Sequence, residues 1–170
     1  MGIDPGTATT GYGLIKINGE GLPVLVDHGL IETDKDGDPG SRLTLIYERL
    51  ESLLKDHKPS VVAMEKIFFF SNAKTVIRVS QAQGVVLLAA AHLGIPVYEY
   101  APGQVKLNVG GSGKADKKVM QESIFQMFGL KAQKNEKTHF DNVADAIAIA
   151  LCHTKLEASK QSSVVSAQED

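Results

Sequence analysis

The sequence is short of the features that mark several classes of protein. Its 170 residues include one cysteine, Cys152, so an internal disulfide framework is excluded. The longest apolar stretch, Val85 to Ala91, falls far below the roughly 20 residues that a membrane-crossing helix needs. No charged and apolar leader opens the chain, and a reducing, cytoplasmic setting is expected. Repeats and interdomain linkers are missing too. So is a strong charge imbalance: 18 Lys and Arg stand against 20 Asp and Glu, for a net charge of −2. Bulk charge therefore gives no sign of a polyanion-binding protein. What is present, 43% hydrophobic and 22% charged residues, suits one domain with a substantial core.

Along the chain, Met1 to Ile3 is a strand stub, DPGTATTG a turn, and GYGLIKIN and PVLVDHGLIET are extended segments, which predicts an antiparallel start. The stub is brief for a core strand, where about five or six residues are usual. Ser41 is expected to cap an amphipathic helix that presents Leu43, Ile46, Leu50, Leu53 and Leu54 and stops before Pro59. SVVAMEK at 60–66 and IPVYEY at 95–100 have the apolar character of buried parallel strands, with a helix from Ala73 to about His92 between them. Further helices are expected from Lys117 to about Phe128 and from about Asp141 to Leu156. Antiparallel strands followed by alternating helices and parallel strands predict a mixed α/β sheet with helices on both faces. Residues 1–156 form the domain, and 157–170 have the composition of a polar, disordered tail.

Four acids fall where a strand or helix end opens outward. Asp4 follows the first strand, Glu65 ends another, and Asp141 and Asp145 share one side of the last helix at about 100° per residue. The surroundings of Asp145, VADAIAIAL, are apolar or small on nearly every side, so a carboxylate there demands a metal or a hydrogen-bond network. Hard cations such as Mg²⁺ take oxygen ligands. Two of them about 3.5–4 Å apart stabilise both the attacking and leaving oxygens of a phosphodiester displacement. Each acid also has an ordinary reading: Asp4 as a turn residue before Pro5 and Gly6, Asp141 as a helix cap, Glu65 as half of an ion pair. The DPGT turn, for its part, resembles the phosphate-binding loop of actin-type and sugar-kinase ATPases, a nucleotide-binding phosphotransferase alternative. Those enzymes need two such domains, and 170 residues provide one.

The mild total charge conceals an uneven distribution. Between Gln104 and Lys137 seven lysines face three acids. Lys106, Lys114, Lys117 and Lys118 lie on or beside the glycine-rich GGSGKAD, where open backbone approaches phosphates and ammonium groups neutralise them. A solvated basic helix is the plainer alternative. Phe68, Phe69 and Phe70 follow Glu65 closely, and adjacent aromatics are ordinarily core.

In this order, GIDPGTATTGYG at 2–13, SRLTLIYERL at 41–50, VVAMEKIFFFSNAKTVIRVSQAQGVVLLAA at 61–90, PVYEYAPGQVK at 96–106 and VADAIAIALCH at 143–153 resemble the RuvC-type Holliday junction resolvases of the ribonuclease H-like superfamily. The resemblance spans nearly all of the chain from Gly2 to Lys155. It implies a ribonuclease H-like five-stranded sheet and a homodimeric, Mg²⁺-dependent crossover junction endodeoxyribonuclease, with two ions per site and Mn²⁺ as a substitute. Such an enzyme nicks opposing strands of a four-way junction in recombination and repair, beside a branch-migration motor of the RuvA/RuvB type. Asp4, Glu65 and Asp145 match three of the family's four metal-binding positions. The remaining one falls on Asn142, with Asp141 adjacent as a substitute carboxylate. A junction binder with impaired cleavage is the corresponding alternative. Lys106 and Lys117 match basic positions near the cleaved strand, and Phe68 matches an aromatic that stacks on a base at the junction centre, with Phe69 as the other candidate and Asn72 beyond it as a DNA contact.

Overall fold

A computed structural model describes residues 1–67, 73–130 and 137–166. At its centre is a five-stranded sheet of order β3-β2-β1-β4-β5, made by β1 (Gly2–Asp4), β2 (Thr9–Ile17), β3 (Pro23–Glu32), β4 (Val62–Glu65) and β5 (Val97–Tyr100). β2 pairs antiparallel with both β1 and β3, whereas β4 runs parallel to both β1 and β5. The mixed sheet expected from the sequence is present. Its shortest strand is central.

Alternation along the strands divides the core between the two faces. Ile3, Val62 and Met64 join a cluster with Ile46, Leu50 and Leu54 of α1 (Pro39–His57) and with Val86, Ala89 and Ala90 of α2 (Ala73–His92). Ala63 joins the opposite cluster, where α5 (Lys137–Ser166) lies across the sheet flanked by α3 (Pro102–Gly110) and α4 (Lys117–Phe128).

Three expectations require correction. Asp38 caps α1 rather than Ser41: its carboxylate accepts from the Ser41 backbone N–H at 2.9 Å and the Ser41 hydroxyl at 3.0 Å, with Pro39 opening the helix. Helix α3 was not anticipated, although Pro102 opens it and the Gln104 side chain accepts from the Ala101 N–H at 3.0 Å. Helix α5 is longer at both ends than the span from Asp141 to Leu156. It starts at Lys137, which places Asp141 inside the helix rather than at its cap. It continues to Ser166 because no glycine or proline interrupts it, and Lys160 reaches back to Glu157 at 2.6 Å. Residues 157–166 therefore continue the helix.

The seat of α5 explains two glycines. A Cβ on Gly2 would collide with the Ala146 carbonyl, and one on Gly11 with the Asn142 carbonyl. The missing side chains let the helix rest directly on β1 and β2. Val143 to Cys152 are all buried there except Asp145.

Candidate active site

β1 and β4 run parallel with Ile3 opposite Met64, so Asp4 and Glu65 leave the same end of the sheet as neighbours. The turn after Asp4 is fixed by the buried Thr10 hydroxyl, which donates to the Gly6 carbonyl at 2.8 Å. The Thr33 hydroxyl holds the same turn through the Thr7 carbonyl at 2.6 Å. Gln83, on α2 and 8% exposed, donates to the Glu65 carbonyl at 2.7 Å and sets where β4 ends. α5, seated on Gly11, carries Asp145 to the same place.

The electrostatics show how closely these acids act on one another. Burial first, then the negative charges of Asp145 and Glu65, push the Asp4 carboxyl up to about 7, with Lys117 pulling the other way. Glu65 is raised by burial and by Asp145, against the fields of Lys106 and Lys117. Asp145 is raised by burial, which outweighs its bond to Lys117, and Asp141 adds to the rise. The Lys117 ammonium bonds the Asp145 carboxylate at 2.7 Å. Burial pulls this lysine down, but the bond to Asp145 and the fields of Asp145, Asp141 and Asp4 hold it above its ordinary range.

Asp4, Glu65 and Asp145 therefore come together from three elements. Asp141, one turn before Asp145, acts on Asp145 and Lys117. Asn142 brings its backbone carbonyl against Gly11, and its side chain is uncharged. Lys106, on α3, reaches the field of Glu65, and Lys117 stands in the first turn of α4. Lys114 and Lys118 are exposed on the intervening loop and on that first turn. Asp116 caps α4 through the Lys118 N–H at 2.9 Å. Cations in a first helical turn oppose the helix dipole by about 0.3–1 kcal/mol each, a cost that the bond to Asp145 offsets for Lys117 and that phosphate binding would offset for Lys118. Phe68, Phe69 and Asn72 lie outside the described residues. Sequence reasoning missed Gln83 and Thr10, which stand among other polar residues, in SQAQG and GTATTG, and carry no local signal that sets them apart.

Among the described residues no three His, Cys, Asp or Glu side chains are gathered at ligating separations. The donor chemistry nonetheless fits a hard divalent cation. Burial raises all three carboxyls, Asp145 adds to the rise of both Asp4 and Glu65, and Asp145 itself already holds an ammonium group. Asp4, Glu65, Asp145 and Asp141 are the residues that would hold such ions.

A mixed sheet with acids at the ends of its adjacent central strands and on the helix crossing them defines a metal-dependent nuclease of ribonuclease H-like build. The sequence profile of the family described as "Crossover junction endodeoxyribonuclease RuvC" matches residues 1–153, and the chain belongs to that family. It is similar to the crossover junction endodeoxyribonuclease RuvC of Desulfitobacterium hafniense, 46% identical over 153 residues that cover 90% of each protein. The RuvC of Moorella thermoacetica is 43% identical over 161 residues, covering 95% of this chain and 93% of that one. Among solved structures, T. thermophilus RuvC in complex with a Holliday junction substrate superposes with a TM-score of 0.78 at 33% identity, covering 89% of this chain and 90% of that chain.

Proposed function

We propose that this protein resolves four-way DNA junctions by paired, symmetric hydrolysis of two phosphodiester bonds, with Asp4, Glu65, Asp145 and Asp141 holding two Mg²⁺ ions per site. The observation that carries this reading is the set of acids from separate elements whose charges oppose one another at one end of the sheet. Family membership and the junction bound to T. thermophilus RuvC support it.

Bound Mg²⁺, or Mn²⁺ in its place, supplies Lewis-acid activation of the attacking water and charge neutralisation at the leaving 3′ oxygen. The chain's own residues do the rest. Asp4 lies within the fields of both Asp145 and Glu65 and would be a ligand common to the site. Gln83 fixes the end of β4, so the Glu65 carboxylate needs no rearrangement as the reaction proceeds. Lys117 releases Asp145 as a phosphate arrives and, with Lys106, offsets the scissile group's charge. Lys114 and Lys118 track the strand beyond it. Phe68 or Phe69 stacks on an unpaired base, a contact worth about 1–3 kcal/mol, and Asn72 adds a polar contact.

A two-fold substrate calls for two identical sites, and the exposed Ile77, Leu87 and Leu88 of α2 supply apolar surface for a homodimer. Recombination and repair are the setting of this reaction, with a branch-migration motor as the partner.

Two measurements address the binding and ligand assignments. Junction affinity is expected to fall steeply with added salt, and Lys114→Ala with Lys118→Ala to reduce the slope of log affinity against log salt by about 2. An unchanged slope would remove those lysines from the interface. The neutral Asn142, three residues before Asp145, favours a second reading, a junction binder with impaired cleavage. With Asp141 already acting on Asp145, the rate of Asn142→Asp is expected to match that of the parent chain. A rise of about tenfold or more, equivalent to 1.4 kcal/mol, would establish the impaired reading instead.

A further inference from the structure

Lys117 belongs to the acid cluster itself. Its ammonium bonds the Asp145 carboxylate at 2.7 Å, and its positive charge also acts on Asp4 and Glu65, so one side chain bears on all three carboxyls that the strands and α5 bring together. Lys106 acts on Glu65. An ammonium group on Asp145 takes up part of a carboxylate that a hard divalent cation would bind, and at that range it repels the cation. The two compete for one place.

The lysine can leave and the acid cannot. Asp145 is fixed on α5, between buried neighbours on a helix seated against Gly11, and its side chain is 22% exposed. The Lys117 side chain is 53% exposed, in the first turn of α4, where the helix dipole disfavours a cation. Its four-carbon stem can carry the ammonium to a new partner while the helix stays in place. Lys114 and Lys118, exposed on the loop before α4 and on the same first turn, define what that partner is. A DNA strand that they hold brings its phosphates within reach of Lys117.

We propose that Lys117 couples cation loading to DNA binding: its ammonium holds Asp145 until a DNA phosphate draws it away, and the freed carboxylate then completes the site for divalent ions. This rests on the junction-resolvase reading and adds a regulation to it, because the site becomes competent where a strand is seated and is held back elsewhere. The lysine acts as the counter-charge of the acids before DNA arrives and as the counter-charge of the phosphate afterwards. By linkage the coupling is reciprocal, so the factor that DNA adds to cation affinity is also the factor that the cation adds to DNA affinity.

The test reads Mn²⁺ binding rather than cleavage, through the electron paramagnetic resonance signal of the free ion. It uses the full chain with and without a four-way junction whose central linkages are methylene phosphonates, charged but not hydrolysable. Without DNA, Lys117→Met is expected to bind Mn²⁺ about tenfold or more tightly than the parent, an effect opposite to the loss that a merely structural lysine would give. Lys106→Met, which removes a charge acting on Glu65 through its field, is expected to change the affinity by about threefold at most. Adding the junction is expected to raise the Mn²⁺ affinity of the parent by a factor about tenfold larger than for Lys117→Met. Equal or weaker Mn²⁺ binding by DNA-free Lys117→Met, an equal gain from Lys106→Met, or the same junction effect in both chains would overturn the proposal and leave the resolvase reading standing. Failure of parent and variant alike to bind Mn²⁺ at about 5 mM, even with the junction, would overturn the cation site and the resolvase reading together.

Discussion

Asp4→Asn is expected to lower junction cleavage by about 10²–10³-fold or more while leaving junction affinity intact, and to raise the thermal stability of the metal-free protein at pH 8. The two effects share one cause. The folded-state pKa of Asp4, about 7, lies above its ordinary 3.8, so ionising this group in the folded protein costs stability. Below the unfolded value there is no penalty. It grows as pH rises past about 4 and is complete above about 7, where it is on the order of 4 kcal/mol. Asparagine removes the charge, and with it part of the repulsion on Glu65 and Asp145. Parent and variant should therefore melt together near pH 4 and separate at pH 8, with the variant higher. Retained cleavage would remove Asp4 from the site. A variant less stable than the parent at pH 8 would show that the carboxylate stabilises the fold rather than serving function at its expense.

Gly11→Ala is expected to be among the most damaging small substitutions away from the acids. Its Cβ would meet the Asn142 carbonyl and the backbone of Val143, and a backbone cannot turn aside as a side chain can. Overpacking of this kind costs about 1–3 kcal/mol, and rigid neighbours place it at the upper end. The helix can relieve the clash only by lifting from β2, which carries Asp145 away from Asp4 and Glu65. A displacement of about 1 Å in such a constellation costs on the order of 10²-fold in rate. Gly19→Ala is the control, because a Cβ there meets nothing within 4 Å. Melting temperature and single-turnover cleavage, measured together, separate the two consequences. If Gly11→Ala behaved like Gly19→Ala, the close seating of α5 would not be what assembles the site.

Much of this arrangement was legible in the residues. Asp4 and Glu65 were readable as strand-end acids because short apolar runs lead into them, and Asp145 because an acid inside VADAIAIAL has no ordinary place. The mixed sheet followed from extended segments before the first helix and apolar strands after it. The close approach at Gly2 and Gly11 depends on where α5 crosses β1 and β2, which local pattern does not encode. Lys117 was visible as a basic residue beside a glycine-rich loop, but its bond to Asp145 joins residues of two helices. The caps and ends of helices were less legible. Asp38 and Ser41 are both good caps, and only the backbone decides which carboxylate or hydroxyl accepts. α3 is too short for its periodicity to stand out, and α5 outruns its apolar segment because nothing in residues 157–166 stops a helix. Gln83 could be placed only once β4 and α2 were packed together.

The most direct test is cleavage of an end-labelled synthetic four-way junction beside a linear duplex of the same sequence, with Mg²⁺ and without it. The result expected is a pair of symmetric nicks in opposing strands of the junction, dependent on the cation, with the duplex left intact. Equal cutting of the linear duplex, or junction cleavage that persists when the divalent cation is chelated, would contradict this account.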